Sequence, residues 1–174
     1  MTKNEIEHRA EEVLSVCRAM GLTLATAESC TGGLISAALT AIPGSSDVFL
    51  CGVASYANAA KTRVLSVQEE MLARHGAVSA EVARAMAEGV LEISGADLAV
   101  AVTGIAGPGG ATPSKPVGLV HLAGARKSGE HCEERHVFTG DRAAVRHQAA
   151  LAALALVLKL TVKRLSAGVE RPHH

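Results

Sequence analysis

Aromatic residues are almost missing from this chain of 174 residues: there is no tryptophan, one tyrosine and two phenylalanines. Single-stranded nucleic acid is held by stacking bases on aromatic faces, so this scarcity argues against such a platform. An excess of either charge is missing too. Seventeen Lys and Arg balance seventeen Asp and Glu, and the isoelectric point is near 7.1. Without a basic face, no nucleic acid partner is expected. Cysteine is sparse. Cys17, Cys30, Cys51 and Cys132 match no zinc or C-x-x-C spacing, so no metal site is expected. A reduced, cytoplasmic chain is the expected setting. Residues 3–12 are polar and charged, unlike a secretory leader. The longest apolar run, 149–158, is too short to span a bilayer and meets Lys159, so no membrane partner is expected.

Apolar residues are plentiful at 48%, with Ala and Val prominent. That composition and length suit a single domain over 1–174, with its core over about 5–165. No linker, repeat or low-complexity stretch divides it. The terminal His173 and His174 carry no weight in the argument.

Periodicity and turn residues place the elements. An amphipathic helix covers 4–20 and ends at Gly21. A buried strand follows at 22–27, then a helix to about Ala41 and a strand over 48–55. Short helices are expected at 58–65 and 68–74, and Ser79 caps a longer one over 80–94. A third strand at 97–102 leads into a Gly/Pro-rich loop over 104–116. Segments 117–125 and 131–138 read as a hairpin, and Asp141 opens a last helix to about Leu165. Alternating strands and helices predict an α/β fold, and the hairpin makes the sheet mixed.

Four polar segments punctuate this pattern. AESCTGG (27–33) puts Ser29 on a strand-to-helix turn, where a hydroxyl is pushed outward and the new helix offers free N–H groups to an anion. A serine hydrolase needs that geometry, although G-x-S-x-G is absent. Ser29 or Thr31 serving only as a helix cap explains the segment equally. SYANAAK (55–61) follows the second strand, and parallel neighbours would bring it to the same rim as Ser29. Lys61, one turn into a helix starting near Asn58, then becomes a candidate base, its amine kept neutral by burial and the helix N-terminus. The plain alternative is a solvated lysine. Tyr56 suits a proton relay or an oxyanion contact, and equally a surface packing role. Cys30 is a rival nucleophile, but neither motif contains a histidine to activate it.

TGIAGPGG (103–110) follows the third strand, and its glycines permit close backbone approach to a phosphate-bearing ligand. It is no dinucleotide fingerprint, because Pro113 and Pro116 follow where a helix should. GDRAAVR (140–146) sets Arg142 and Arg146 four apart on one helical face, at a helix start suited to phosphate. For Arg146 an exposed position paired with acids is favoured.

AESCTGG, PGSSDVF, SYANAAK, GAVSAEVARAMAEG, TGIAGP, KPVGLV and GDRAAVR, in this order, resemble the CinA C-terminal domain family over about residues 5–162. The resemblance implies a three-layer α/β/α sandwich on a mixed, about five-stranded sheet. It implies nicotinamide-nucleotide amidohydrolase activity: nicotinamide mononucleotide is hydrolysed to nicotinate mononucleotide and ammonia, without metal or organic cofactor. The family's serine, lysine and tyrosine fall on Ser29, Lys61 and Tyr56. Backbone N–H groups at Cys30, Thr31 and Gly32 would hold the oxyanion. Asn58, Thr103, Gly104, Gly107 and Arg142 complete the expected substrate contacts, with Arg142 and the 103–109 loop on the phosphate. The chain is similar to standalone members. It departs from the common pattern at 110–114 and at Ala54, neither of which carries a catalytic group. The small-molecule nucleotide substrate is the expected partner. A homo-oligomer through the Ala/Leu face of the last helix is a further option. The rival reading is a non-catalytic nucleotide sensor or protein-interaction module tied to competence or DNA damage.

Overall fold

A computed structural model describes residues 4–162. The elements run α1 (Glu5–Met20), β1 (Leu24–Glu28), α2 (Leu34–Thr40), a 3₁₀ turn (Ser45–Asp47), β2 (Phe49–Ala54), α3 (Asn58–Leu65), α4 (Glu69–His75), α5 (Ala80–Ser94), β3 (Leu98–Gly104), β4 (Leu119–Arg126), β5 (His131–Val137) and α6 (Arg142–Val162). The expected elements are present, their ends shifted by a residue or two. The end of the last helix near Leu165, and His173–His174, lie outside the described residues.

Local chemistry sets the helix ends. The Glu7 N–H donates to Asn4 Oδ1 at 2.9 Å, and the Asn4 N–H donates back to the Glu7 carboxylate at 3.3 Å, a reciprocal capping box on α1. Gly21, at φ 65°, ends that helix. Ser79 accepts the Val82 N–H at 3.3 Å and opens α5, and Asp141 accepts the Ala144 N–H at 2.8 Å and opens α6.

The sheet has the order β2-β1-β3-β4-β5. β1 pairs in parallel with β2 and β3, while β4 and β5 join antiparallel. Side chains on a strand alternate between faces, and here size alternates with them. Leu24, Leu98, Val100, Val102 and Leu122 pack with α1, α2 and α6. Ala25, Ala27, Ala99, Ala101, Ala123 and Ala125 face α5 and the end of α3. The alanine face lets the helices lie close. At Gly89 in α5 an added Cβ would stand 2.1 Å from the Leu65 carbonyl oxygen of α3. The result is a three-layer α/β/α sandwich.

α6 is long and apolar enough to cross a bilayer by length and composition. Here its Val145, Ala149, Ala153, Leu156, Val157 and Leu160 are buried in the core shared with α1 and the sheet. Because β2, β1 and β3 are parallel, the segments after their C-terminal ends meet on one rim.

Candidate active site

The chain leaves β1 through Ser29, whose N–H donates to the Val102 carbonyl at 2.9 Å and prolongs the β1–β3 ladder. It then turns sharply. The Gly32 N–H donates to the Ser29 carbonyl at 3.0 Å. Gly32 and Gly33 adopt φ 60° and 101°, conformations that residues with a Cβ rarely take. α2 starts at Leu34.

The N–H groups of α2 do not wait for an anion, as its position after Ser29 suggested. The Leu34 N–H donates to the Thr31 carbonyl at 3.1 Å. The Ile35 and Ser36 N–H groups donate to the Glu28 carboxylate at 2.9 and 3.0 Å, and the Ser36 hydroxyl joins them at 2.7 Å. Glu28, 1% exposed, is therefore the acceptor at this helix terminus. It replaces both expected caps: no side chain at α2's N-cap position bonds the helix, and Thr31 Oγ1 has no hydrogen-bond partner among the described residues. The Gly32 N–H, occupied within the turn, is also withdrawn from the expected oxyanion donors.

Lys61 lies on α3 and is 1% exposed. Its Nζ stands 2.9 Å from Ser29 Oγ, 2.8 Å from the Ser55 carbonyl and 3.3 Å from the Tyr56 carbonyl. Nζ donates to all three oxygens, and no carboxylate lies among these partners. Burial pushes the Lys61 pKa below the ordinary lysine value of 10.5. The solvated-lysine alternative does not describe this residue.

Cys30 is equally buried, but its chemistry runs the other way. Burial raises its thiol to a pKa of about 11, so the reactive thiolate is scarce at neutral pH. The neighbouring Ser29 hydroxyl is the group in contact with the Lys61 amine.

Ser29, Cys30, Tyr56, Asn58, Lys61, Thr103, Gly104, Gly107 and Arg142 line one cavity of about 280 Å³. Thr31 and Gly32 are not in its wall. Small-ligand clefts typically start at about 300 Å³. Its basic lining residues are Lys61 and Arg142, and no Asp or Glu is among the residues that line it. Ile105, Ala106, Gly109 and Gly110, from the Gly-rich loop singled out in the sequence, also line it, together with Ala77 and Val78, which were not expected there. Thr103, expected near the phosphate, has its hydroxyl proton on the Ala77 carbonyl at 2.8 Å, where it ties the α4–α5 connection to β3. Gly104 is required by packing, since a Cβ there would stand 2.7 Å from Val120 Cγ2.

The two arginines of α6 diverge. Arg142 donates to the Gly107 carbonyl at 2.9 Å and to the Tyr56 hydroxyl at 2.8 Å. It joins the loop after β3 to the segment after β2, while Tyr56 remains 63% exposed at the rim. Arg146 is not paired with acids, as its position suggested. It donates from Nε to the Cys30 carbonyl at 3.1 Å and from Nη2 to the Thr31 carbonyl at 2.9 Å. Among the described residues, no group of three His, Cys, Asp or Glu side chains is placed to hold a metal.

A buried lysine against a serine at the end of a parallel strand, on a mixed five-stranded sheet, defines an α/β protein with a Ser–Lys pair at its rim. The chain belongs to the CinA C-terminal domain family, whose pattern matches residues 6–161. It is 56% identical over 140 residues to a CinA-like protein of Citrifermentans bemidjiense, covering 80% of this chain and 34% of that protein. A CinA-like protein of Akkermansia muciniphila is 56% identical over 137 residues, or 79% of this chain and 33% of that one. The chain thus spans about a third of the length of the curated relatives it matches. The crystal structure of the competence/damage inducible protein CihA from Agrobacterium tumefaciens superposes with a TM-score of 0.88 at 43% identity, covering 92% of this chain and 98% of that one. A CinA superfamily protein from Escherichia coli gives a TM-score of 0.86 at 35% identity, over 92% and 94%.

Proposed function

We propose that this chain is a Ser/Lys amidohydrolase that converts nicotinamide mononucleotide to nicotinate mononucleotide and ammonia. The carrying observation is the buried Lys61 amine 2.9 Å from Ser29 Oγ. In this reading Ser29 attacks the carboxamide carbon as its proton passes to Lys61. The Cys30 N–H, at the residue beside Ser29 in the cavity wall, is the donor left for the developing oxyanion, a contribution of roughly 3 kcal/mol per donor in known cases. The Lys61 ammonium then protonates the departing nitrogen, which leaves as ammonia. Lys61, neutral again, takes a proton from water, the water oxygen attacks the acyl ester, and Ser29 recovers its proton as the carboxylate leaves.

The choice of substrate rests on the resemblance and on charge. Arg142 at the mouth and the absence of any lining carboxylate suit a phosphate-bearing ligand. Three donor positions of the Arg142 guanidinium stay beyond its two protein contacts. A sensor or protein-interaction module gives no role to a buried lysine set against a serine hydroxyl.

Ammonia release from nicotinamide mononucleotide tests the reading. Ser29→Ala and Lys61→Met should each lower turnover by at least about a thousandfold while the chain stays folded. Cys30→Ala should stay within about threefold of the parent, because a neutral thiol does not attack. A Cys30→Ala variant that loses turnover while Ser29→Ala keeps it would reassign the nucleophile. A folded parent that releases no ammonia would discard the substrate.

A further inference from the structure

The Ser29 turn is held from outside its own segment. Arg146 grips two successive carbonyls, Cys30 and Thr31, from a position more than a hundred residues further along the chain. Those carbonyls belong to the peptide units that join Cys30 to Thr31 and Thr31 to Gly32. A trans peptide is planar, with its C=O and N–H pointing in opposite directions. Fixing the Cys30 carbonyl on Arg146 therefore fixes the Thr31 N–H away from Arg146. Fixing the Thr31 carbonyl likewise sets the Gly32 N–H, which closes the turn on the Ser29 carbonyl at 3.0 Å.

The clamp acts on a turn built on two glycines. Gly32 and Gly33 are both at positive φ and lack a Cβ to resist rotation of the preceding peptide. A flipped Thr31–Gly32 unit would break the Gly32 N–H bond to the Ser29 carbonyl that closes the turn. A guanidinium on the carbonyl side also polarises each peptide and makes its N–H a stronger donor.

We propose that Arg146 is a positioning residue that locks the Cys30–Thr31 and Thr31–Gly32 peptides, so that the turn they close holds Ser29 Oγ against Lys61 and Cys30 in the cavity wall. The proposal rests on Ser29 being the nucleophile of the function proposed above.

The test uses a fluorophosphonate, whose reaction needs no knowledge of the substrate. Ser29 Oγ bonds to phosphorus, fluoride leaves, the hydroxyl proton goes to Lys61, and the phosphoryl oxygen takes the oxyanion's place. Saturation kinetics of labelling separate the maximal rate from the binding constant. Arg146→Ala should lower the maximal rate about 10- to 100-fold with the binding constant within about threefold, as expected for a misaligned site. Arg146→Lys, able to reach one carbonyl with its single ammonium, should fall between the two. If Arg146→Ala does not fold by circular dichroism, Arg146→Lys carries the same comparison.

A maximal rate within about threefold of the parent in both variants overturns the proposal. So does a rate and a binding constant that worsen together, which is the pattern of a loosened pocket. A parent that is not labelled at Ser29 overturns this proposal and the Ser/Lys reading together. A parent that is labelled but releases no ammonia from nicotinamide mononucleotide overturns only the substrate, and the ratio of labelling rates still decides the role of Arg146.

Discussion

The Glu28 carboxylate receives the Ser36 hydroxyl at 2.7 Å, eight residues further along the chain, and covers the first free N–H groups of α2 in the same contact. A strand-end acid thus caps the helix that follows the Ser29 turn. Removing it leaves two N–H groups buried without an acceptor, and such groups cost about 1–3 kcal/mol each. Glu28→Ala should lower the unfolding free energy by about 3 kcal/mol, read from urea midpoints. A loss under about 1 kcal/mol would show that water replaces the carboxylate freely.

The layers were legible because periodicity and burial agree. Residues 22–27 are apolar but for two threonines and 98–102 are wholly apolar, as strands buried on both faces require. The pairing of Ser29 with Lys61 was legible as well, since parallel strands deliver both to one rim. The capping role of Glu28 was not, because caps come from the residue just before a helix, and this one lies six positions upstream of Leu34. Arg146 was misread for a related reason. Its spacing from Arg142 placed the two on one helical face, yet one turn along α6 separates the Ser29 turn from the loop after β3. Such contacts depend on how α6 crosses the sheet, which no local pattern encodes.

Lys61 carries a pH signature with a definite sign. Burial holds its folded pKa below 10.5, the value of an ordinary lysine. Between the two values the unfolded chain binds the proton and the folded chain does not, so stability rises with pH. The full penalty applies below the folded pKa and vanishes above the unfolded one. Lys61→Met lacks this linkage. The parent should therefore gain stability relative to Lys61→Met as the pH rises toward 10.5, in paired urea titrations. Ammonia release should climb over the same range as the neutral amine accumulates. A stability difference that is flat or falls with pH would mean Lys61 is charged in the folded protein.

Gly89 links packing to the site. Alanine is the better helix former by about 1 kcal/mol, so an exposed Gly→Ala change would stabilise α5. At this position the new Cβ meets the Leu65 carbonyl oxygen at 2.1 Å and the Leu65 Cα at 2.9 Å. Those are backbone atoms of α3, the helix that carries Lys61, and they cannot swing aside. Gly89→Ala should instead destabilise by about 1–3 kcal/mol and lower turnover as α3 shifts. Thermal melts and ammonia release check both effects. An unchanged or raised melting temperature would mean that α3 and α5 are less tightly set than this contact implies.

Tyr56 separates orientation from proton transfer. Its hydroxyl accepts from Arg142 at 2.8 Å, and its ring is largely exposed at the rim. A proton relay would need that hydroxyl between Lys61 and the departing nitrogen, whereas Lys61 already touches Ser29. Tyr56→Phe keeps the ring and removes only the acceptor that steadies Arg142. One neutral-to-charged hydrogen bond is worth about 1.5–3 kcal/mol, part of which water returns at an exposed site. KM for nicotinamide mononucleotide should therefore rise by about threefold to tenfold, with kcat nearly unchanged. A kcat that falls a hundredfold or so at constant KM would restore Tyr56 to the chemistry, because only a group acting in the transition state produces that pattern.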